Sequence, residues 1–342
     1  MDWRRTVIDT AWRWPLLWRG LRAVHPLYTA ARCRVRRRPR LRWVAFEVTN
    51  RCNLACVMCG RSLVSRPQGL MARDTIEKVL AQIPDGSLRC IALHAVGEPL
   101  LHPDLELFVR LARPKAAELF LSTNGLLFHG DTALMRRLLA AGLAHVHFSA
   151  EGYDAATYEA VRIGGRFEEF LDNLRLFRRV RNASGSSASI HLQYTLFRPP
   201  SADEIRRVKE VFGPHVDAIE FKPLNNQSSA SIAYRPNESV AGVRCYGDKA
   251  LPCLALWCGL TVLWDGRLSL CPRDHAARLV VGDRGSSLAH AWSGEAARRF
   301  RAAHARRSFP AACDECFEPH ARTMAVIELD RRLNAIGKAG AT

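Results

Sequence analysis

The stretch Thr49-Asn50-Arg51-Cys52-Asn53-Leu54-Ala55-Cys56-Val57-Met58-Cys59-Gly60 places three cysteines in one short loop with the spacing C-x3-C-x2-C. No fourth cysteine follows at a matching interval. Three thiolates can ligate three irons of a cubane [4Fe–4S] cluster, which leaves the fourth iron open to a ligand that is not protein. An open iron is a place for chemistry, whereas four-cysteine ligation is typical of an electron carrier. The alternative is three unrelated buried thiols.

Length and composition indicate a folded chain that binds metal. The 342 residues are enough for one large α/β domain and a smaller appendage, and 48% of them are apolar. The eleven cysteines are an odd number and cluster at short spacings typical of metal ligands. No secretory signal precedes them, so we expect a cytoplasmic protein with metal-ligating cysteines and not a disulfide framework.

The positive charge is concentrated at the start of the chain. Residues 1–42 contain twelve arginines against Asp2 and Asp9, a net of +10 out of the total of +17, and four of the eight tryptophans. Such an arm is suited to peripheral contact with an anionic membrane surface, which would place the protein at the inner face of the membrane. The alternative is a solvated basic arm, and contact with nucleic acid is the least favoured interpretation.

The pattern after the arm predicts alternating strands and helices. Strands are predicted at 43–48, 88–94, 118–121, 145–149, 189–195 and 216–221, and helices at 74–82, 103–112, 131–141, 167–181 and 201–212. This order predicts an α/β fold with a parallel sheet, a partial (β/α)6 barrel whose site lies beyond the carboxyl ends of the strands. We divide the chain into an arm (1–42), this core (43–222), a linker (223–250), a small cysteine-rich domain (251–320) and a C-terminal helix and tail (321–342).

Short polar motifs follow three successive strands of the predicted sheet. These are Ala95-Val96-Gly97-Glu98-Pro99, then Ser122-Thr123-Asn124-Gly125, then Ser149-Ala150-Glu151-Gly152. Glycine lets the backbone approach a ligand closely, and proline fixes the exit from a turn. Each motif alone is compatible with ordinary turn residues. Their order, one at each successive strand end, favours a shared site next to the cysteine loop.

The cysteine triple and these motifs together resemble the radical S-adenosylmethionine (SAM) enzymes. The resemblance implies that Cys52, Cys56 and Cys59 ligate a [4Fe–4S] cluster whose open iron binds SAM. In that family an electron from the cluster cleaves SAM to methionine and a 5′-deoxyadenosyl radical, which abstracts hydrogen from the substrate. An external electron donor such as flavodoxin or ferredoxin is implied as a partner.

The resemblance also implies residues that contact SAM. The loop with Gly97 and Glu98 is similar to the family's Gly-Gly-Glu-Pro loop, although Val96 replaces the first glycine. The other residues expected to bind the cofactor are small polar side chains, an arginine and a methionine at the position of the family's adenine-facing aromatic: Asn124, Ser149, Arg162 and Met58.

A second set of cysteines lies in the C-terminal third. Cys253 and Cys271 are separated by seventeen residues, and Cys313 and Cys316 form a C-x2-C pair. On spacing alone, the four could hold a zinc ion or a second [4Fe–4S] cluster. With Gly266 five places before Cys271, the pattern resembles the SPASM/twitch extension, which implies one auxiliary [4Fe–4S] cluster. Cys258 is an alternative ligand.

A four-cysteine cluster has no open iron, so the second site should carry electrons. An electron acceptor next to the substrate suits oxidation of a small hydroxylated molecule such as a sugar, cyclitol or glycolipid headgroup. The candidate bases are His94, His147 and Glu151, which lie near predicted strand ends, and the alternative is that each is packed or solvated. Other interpretations are a maturase of a ribosomally made peptide and a non-catalytic metal-binding protein that contacts RNA or membrane.

Overall fold

The structure is a computed structural model that describes Gly20 and residues 39–63, 66–224, 239–240, 243–244, 252–253 and 255–313. Nearly all of the predicted arm, most of the linker, the C-terminal helix at 321–342 and Cys316 lie outside the described residues. Among the described helices, none combines the length and apolar character needed to cross a membrane.

Eleven strands occur in the described part of the chain, and nine of them hydrogen-bond into one sheet in the order β11-β10-β9-β1-β2-β3-β4-β5-β6. Their bounds are β1 Trp43–Phe46, β2 Leu88–Ala92, β3 Ala116–Thr123, β4 His145–Ala150, β5 Ser189–Leu196, β6 Ala218–Pro223, β7 Ser239–Val240, β8 Val243–Arg244, β9 Gly259–Val262, β10 Leu268–Ser269 and β11 Val280–Gly282. The pair β7 and β8 forms a separate antiparallel ladder. The parallel order from β1 to β6 confirms the predicted α/β class.

Helices connect these strands and cover one face of the sheet. They are Arg73–Leu80, Leu105–Ala112, Thr132–Ala140, Ala155–Val161, Phe167–Ala183 and Ala202–Phe212, followed in the cysteine-rich part by Ala255–Cys258, Leu288–Ser293 and Glu295–Ala305. Several begin at a side chain that accepts a hydrogen bond from the first turn, as Asp131 does from Leu134 and Ser201 from Glu204. The helix Ala155–Val161, which begins at a capping box between Asp154 and Thr157, was not predicted.

The two faces of the sheet differ in chemistry because side chains alternate along each strand. One face is apolar and packs against the helices in a continuous core, with fully buried residues on every strand from β1 to β6, for example Phe46, Ile91 and Phe221. On the other face, polar residues such as Gln193 and Lys222 line a cavity. The site therefore lies on the face of the sheet that the helices leave open.

The cysteine-rich part of the chain extends the main sheet. Strand β9 runs parallel to β1, with Trp43 opposite Gly259, and β10 and β11 continue it with antiparallel pairing. A Cβ atom at residue 259 would lie only 1.9 Å from the Trp43 ring, so glycine makes room for that ring. All six predicted strands are present, and a seventh parallel strand joins them. The sequence interpretation missed it because four residues carry little periodicity.

Candidate active site

The cysteine loop leaves the carboxyl end of β1 and is anchored at its base. Thr49 Oγ1 donates to the carbonyl oxygen of Gly69 at 2.7 Å, and Asn50 Nδ2 donates to that of Pro67 at 2.9 Å. The N–H of Gly69 donates in return to Asn50 Oδ1 at 2.9 Å. The chain entering the loop is thus tied to the chain leaving it.

The three thiols of this loop fit a set of iron ligands. The loop backbone pairs with the segment Val161–Ile163, and the N–H of Leu54 donates to Cys52 Sγ at 3.4 Å. Burial raises the pKa of Cys56 to about 12 and also raises that of Cys52, and the neighbouring thiols reinforce both shifts. Burial, the largest cause of both shifts, disfavours a free thiolate at these positions, and a cationic cluster would stabilise the thiolate form.

The predicted Gly97–Glu98 loop packs directly on the cysteine loop. Gly97 has φ +91°, and a Cβ there would lie 2.5 Å from the carbonyl oxygen of Thr49. The N–H of Glu98 donates to the carbonyl oxygen of Arg51 at 2.8 Å. The buried Glu98 carboxylate accepts from Thr123 Oγ1 at 2.6 Å and from backbone N–H groups. This carboxylate therefore fastens the ends of β2 and β3 together.

Asn124, Met58 and Ser149 lie around the same loop. Asn124 Nδ2 donates to Asn53 Oδ1 at 2.8 Å, within the cysteine loop. Met58 lines the cavity. The Ser149 hydroxyl lies 3.5 Å from that of Ser122, which also lines the cavity. Direct contact of these residues with SAM stays a prediction.

Glu151 and Arg162 form a buried ion pair next to the cysteine loop. Arg162 Nε and Nη2 donate to the two Glu151 oxygens at 2.5 and 3.0 Å, and the side chains are 7% and 2% exposed. The Arg162 charge also opposes the upward pKa shift of Cys56. A buried charge requires a partner, and in this structure each of these two groups is the partner of the other. The predicted roles, a base at Glu151 and a ligand to the SAM carboxylate at Arg162, stay predictions.

The two candidate histidines differ in what their rings can do. His94 lines the cavity, and its Nδ1 accepts from the N–H of Ser122 at 3.1 Å. Burial, followed by the Lys222 charge, lowers the pKa of His94 to about 4, so the ring is neutral at pH 7 and carries its proton at Nε2. In this tautomer His94 can donate a hydrogen bond from Nε2, and its role as a base stays a prediction.

His147 sits one step away from the cavity. Its Nδ1 lies 3.0 Å from the amide of Gln193, which lines the cavity. Its ring stacks on that of His191 at 5.0 Å, and its buried Nε2 has no hydrogen-bond partner. Burial lowers the pKa of His147 to about 3, which also leaves this ring neutral.

The sequence interpretation missed a polar group on β5 and β6. His191 Nδ1 and Lys222 Nζ lie 2.9 and 2.8 Å from the two oxygens of Glu220. Although burial alone raises the pKa of Glu220, these two partners hold it far below its usual range. The signal was a polar residue at every second position of two otherwise apolar strands.

The cavity has a volume of about 430 Å³ and joins both cysteine regions. One wall is Met58, Cys59 and Gly60, and another is Pro272, Arg273 and His275, directly after Cys271. His275 also hydrogen-bonds to the backbone of Gly60. A molecule in this cavity would therefore lie between the open cluster site and the auxiliary site.

Two of the described auxiliary cysteines contact one buried histidine. Cys253 and Cys313 are buried, and both contact His304, through the Cys253 backbone N–H and the Cys313 Sγ. Cys271 Sγ accepts from the N–H of Arg273 at 3.4 Å. Three buried or half-buried thiols fit a cluster whose fourth predicted ligand, Cys316, is outside the described residues.

A buried ion pair joins the two cysteine regions. Glu47, at the end of β1, is completely buried and accepts two bonds from Arg66, at 2.6 and 3.0 Å. The same carboxylate accepts from the backbone N–H of Trp264 at 3.1 Å, and Arg66 Nε donates to the carbonyl oxygen of His275 at 2.7 Å. We refer to Glu47, Arg66, Trp264 and His275 as the clamp.

Comparison with known proteins identifies the class. The model of the radical SAM superfamily matches residues 46–210, and that of the SPASM iron-sulfur cluster-binding domain matches residues 253–317. The chain belongs to the radical SAM superfamily and carries a SPASM-type C-terminal domain, as the resemblance predicted. The two domains imply a [4Fe–4S] cluster, SAM and an auxiliary iron–sulfur cluster.

Curated relatives are similar over a limited part of the chain. The AdoMet-dependent heme synthase of Methanosarcina barkeri is 32% identical over 143 residues, 41% of this chain and 40% of that protein. The GTP 3′,8-cyclase of Chlorobaculum tepidum is 28% identical over 53% of each chain. The chain thus spans about half or less of the length of these relatives.

Solved structures share the fold at low sequence identity. Streptococcus suis SuiB bound to precursor peptide SuiA has a TM-score of 0.62 and 12% identity, covering 85% of this chain and 71% of that one. BtrN in complex with AdoMet and 2-DOIA has a TM-score of 0.52 and 18% identity, covering 81% of this chain and 92% of that one.

Proposed function

We propose that this protein oxidises a small hydroxylated molecule, such as a sugar, cyclitol or glycolipid headgroup, by radical SAM chemistry. The observation that carries the proposal is the cavity of about 430 Å³, which lies between Cys59 and the segment after Cys271. A substrate there has the radical-generating site on one side and an electron acceptor on the other.

The bound groups supply a 5′-deoxyadenosyl radical, through the open cluster and SAM, and an electron acceptor, through the auxiliary cluster. Converting a CH–OH group to C=O removes a hydrogen atom from carbon, an electron and the hydroxyl proton. Held by Cys52, Cys56 and Cys59 and by the auxiliary cysteines, the two bound groups would take up the hydrogen atom and the electron, and a base of this chain would take the proton. The overall change is a two-electron oxidation of the substrate.

His94 and His147 have complementary roles in this proposal. The Nε2–H of neutral His94 donates to the substrate oxygen and positions the carbon for hydrogen abstraction. His147 and Glu151 stay the candidate proton acceptors of this proposal, and the Gln193 amide nitrogen, 3.0 Å from His147 Nδ1, links His147 to the cavity. The polar surface of Gln193, Thr195 and Lys222 suits a ligand with several hydroxyl groups.

Substrate-dependent SAM cleavage tests the proposal. Anaerobic holoenzyme with about eight irons per chain, four for each cluster, is mixed with SAM, a one-electron donor such as reduced flavodoxin, and a panel of carbon-deuterated polyols. We expect one polyol class to stimulate 5′-deoxyadenosine formation, to transfer deuterium into it and to lose two hydrogens. Stimulation by ribosomal precursor peptides in place of polyols would favour the peptide interpretation.

Variants of His94 distinguish a specific role of this residue from a nonspecific effect of substitution. His94→Leu should abolish deuterium transfer while substrate-independent SAM cleavage continues, and His94→Gln, which retains an N–H donor, should restore part of it. The exposed His290→Gln is the matched control and should behave as wild type. Equal deuterium transfer in all three variants would remove His94 from the site.

The basic arm is a second region of the chain for which we propose a binding partner. We propose that residues 1–42 bind anionic lipid, supported by twelve arginines and four tryptophans. The full chain should cosediment with phosphatidylserine vesicles and not with phosphatidylcholine vesicles, and deletion of the arm should remove the difference.

A further inference from the structure

Helix Glu295–Ala305 carries a histidine that lies between two cysteines of the auxiliary site. His304 is completely buried. Its Nδ1 is 3.3 Å from the backbone nitrogen of Cys253, and its Nε2 is 3.5 Å from Cys313 Sγ. The Phe309 ring packs against it in a T-shaped arrangement at a centroid distance of 4.9 Å. One imidazole therefore contacts two predicted ligands that are far apart in the sequence.

The backbone contact decides which ring nitrogen of His304 carries the proton. A backbone N–H can only donate, so Nδ1 accepts from Cys253. A neutral imidazole that accepts at Nδ1 holds its proton at Nε2. Nε2 therefore donates an N–H···S hydrogen bond to Cys313.

Arg301 fixes the helix that holds this ring. The guanidinium group is buried, with Nε donating to the carbonyl oxygen of Leu256 and Nη1 to that of Trp292, both at 2.6 Å. It also lies 4.2 Å above the Trp292 ring. Because Arg301 and His304 are three residues apart, they share one helix face, and the ring is held toward the cysteines.

We propose that His304 raises the reduction potential of the auxiliary cluster through its hydrogen bond to Cys313. The proposal rests on the proposed function only in requiring that cluster. A hydrogen bond to a ligating sulfur withdraws negative charge, which favours the reduced form with its additional electron. The complete burial of His304 strengthens the effect because it shields the donating N–H from water. His304 thus makes the auxiliary cluster a better electron acceptor, and we class it as a positioning residue.

The wild-type holoenzyme provides the first test. The protein is produced with imidazole-15N histidine, reduced, and examined by pulsed EPR. Addition of SAM alters only the signal of the open cluster and so identifies the auxiliary signal. We expect a 15N coupling on the auxiliary signal. About eight irons per chain without that coupling overturns this proposal alone, whereas about four irons overturns both it and the auxiliary cluster.

Variants give the second test by EPR-monitored redox titration of holoenzyme. His304→Leu should lower the auxiliary potential at unchanged iron content, and His304→Gln, which keeps an N–H donor, should fall between Leu and wild type. Phe309→Leu disturbs the packing of the same ring without removing the donor and should leave the potential unchanged. If His304→Leu loses the cluster, the Gln variant decides. If the iron-loaded His304→Leu variant has the wild-type potential, the proposal is refuted. If that variant does not retain the cluster, the proposal is refuted when His304→Gln has the wild-type potential and the 15N coupling is also absent.

Discussion

Removing the Glu47 carboxylate should destabilise the protein strongly. In Glu47→Ala, the Arg66 guanidinium loses a partner that it contacts at 2.6 and 3.0 Å, and the two side chains are 0% and 6% exposed. A buried ion left without its partner costs about 3–5 kcal/mol. The free energy of unfolding of a domain is about 5–15 kcal/mol, so the loss is a large share of it. Removal of the carboxylate also breaks the hydrogen bond that the backbone N–H of Trp264 donates to Glu47.

The cost of an unpaired buried charge also predicts that a second substitution, at Arg66, restores stability. Arg66→Met alone leaves the buried Glu47 carboxylate unpaired and should cost about as much as Glu47→Ala. The double variant Glu47→Gln/Arg66→Met removes both charges, and its glutamine oxygen can still accept from Trp264. A buried pair replaced by groups of similar volume is often near neutral, so the double variant should be more stable than either single variant.

The assay is urea unfolding of the anaerobic holoenzyme followed by tryptophan fluorescence. Glu77→Ala is the matched control, because Arg73 and Glu77 lie at a similar distance, 2.7 Å, but are 62% and 40% exposed. An exposed pair contributes about 0–1 kcal/mol. The reasoning fails if Glu47→Ala and Glu77→Ala shift the urea midpoint equally, or if the double variant is as unstable as the sum of its single changes.

Three further changes have expected outcomes. Gly259→Ala, whose Cβ would meet the Trp43 ring at 1.9 Å, should cost about 1–3 kcal/mol by urea unfolding, whereas Gly213→Ala, with open space around its Cβ, should not destabilise. Arg162→Met strands the buried Glu151 and should slow iron loading, and addition of Glu151→Gln should recover loading measured by iron analysis. Folding lowers the pKa values of His94 and His147 from 6.5 to about 4 and 3. As the pH falls below about 6.5, these histidines therefore bind protons in the unfolded chain but stay neutral in the folded chain. Stability should therefore fall from pH 7.5 to pH 5 more steeply in wild type than in His94→Gln/His147→Gln, and parallel curves would contradict these shifts.

The strands and the cysteine positions were predictable because their signals are local. Apolar runs of four to eight residues with turn residues between them identify strands such as β2 and β5 without knowledge of the rest of the chain. A cysteine triple at close spacing constrains its own loop in the same way. The six predicted strands and the radical SAM class are confirmed for this reason.

The partners of charged side chains were not predictable, because contact in space does not follow spacing in sequence. Glu151 and Arg162 are eleven residues apart, and only the return of the segment Val161–Ile163 beneath the cysteine loop brings them together. The clamp joins positions 217 residues apart, Glu47 and Trp264. The domain boundaries, likewise, stay a prediction.

The position of β9 explains why the clamp reaches both cysteine regions. Because β9 hydrogen-bonds beside β1, the cysteine loop and the segment leading to Cys271 start from neighbouring strands of one sheet. The clamp then ties the end of β1 to Trp264, just beyond β9, and to His275. One sheet and one buried ion pair therefore position both the cysteine loop and the chain on either side of Cys271. Under the proposed function, weakening the clamp should slow substrate oxidation more than it slows SAM cleavage.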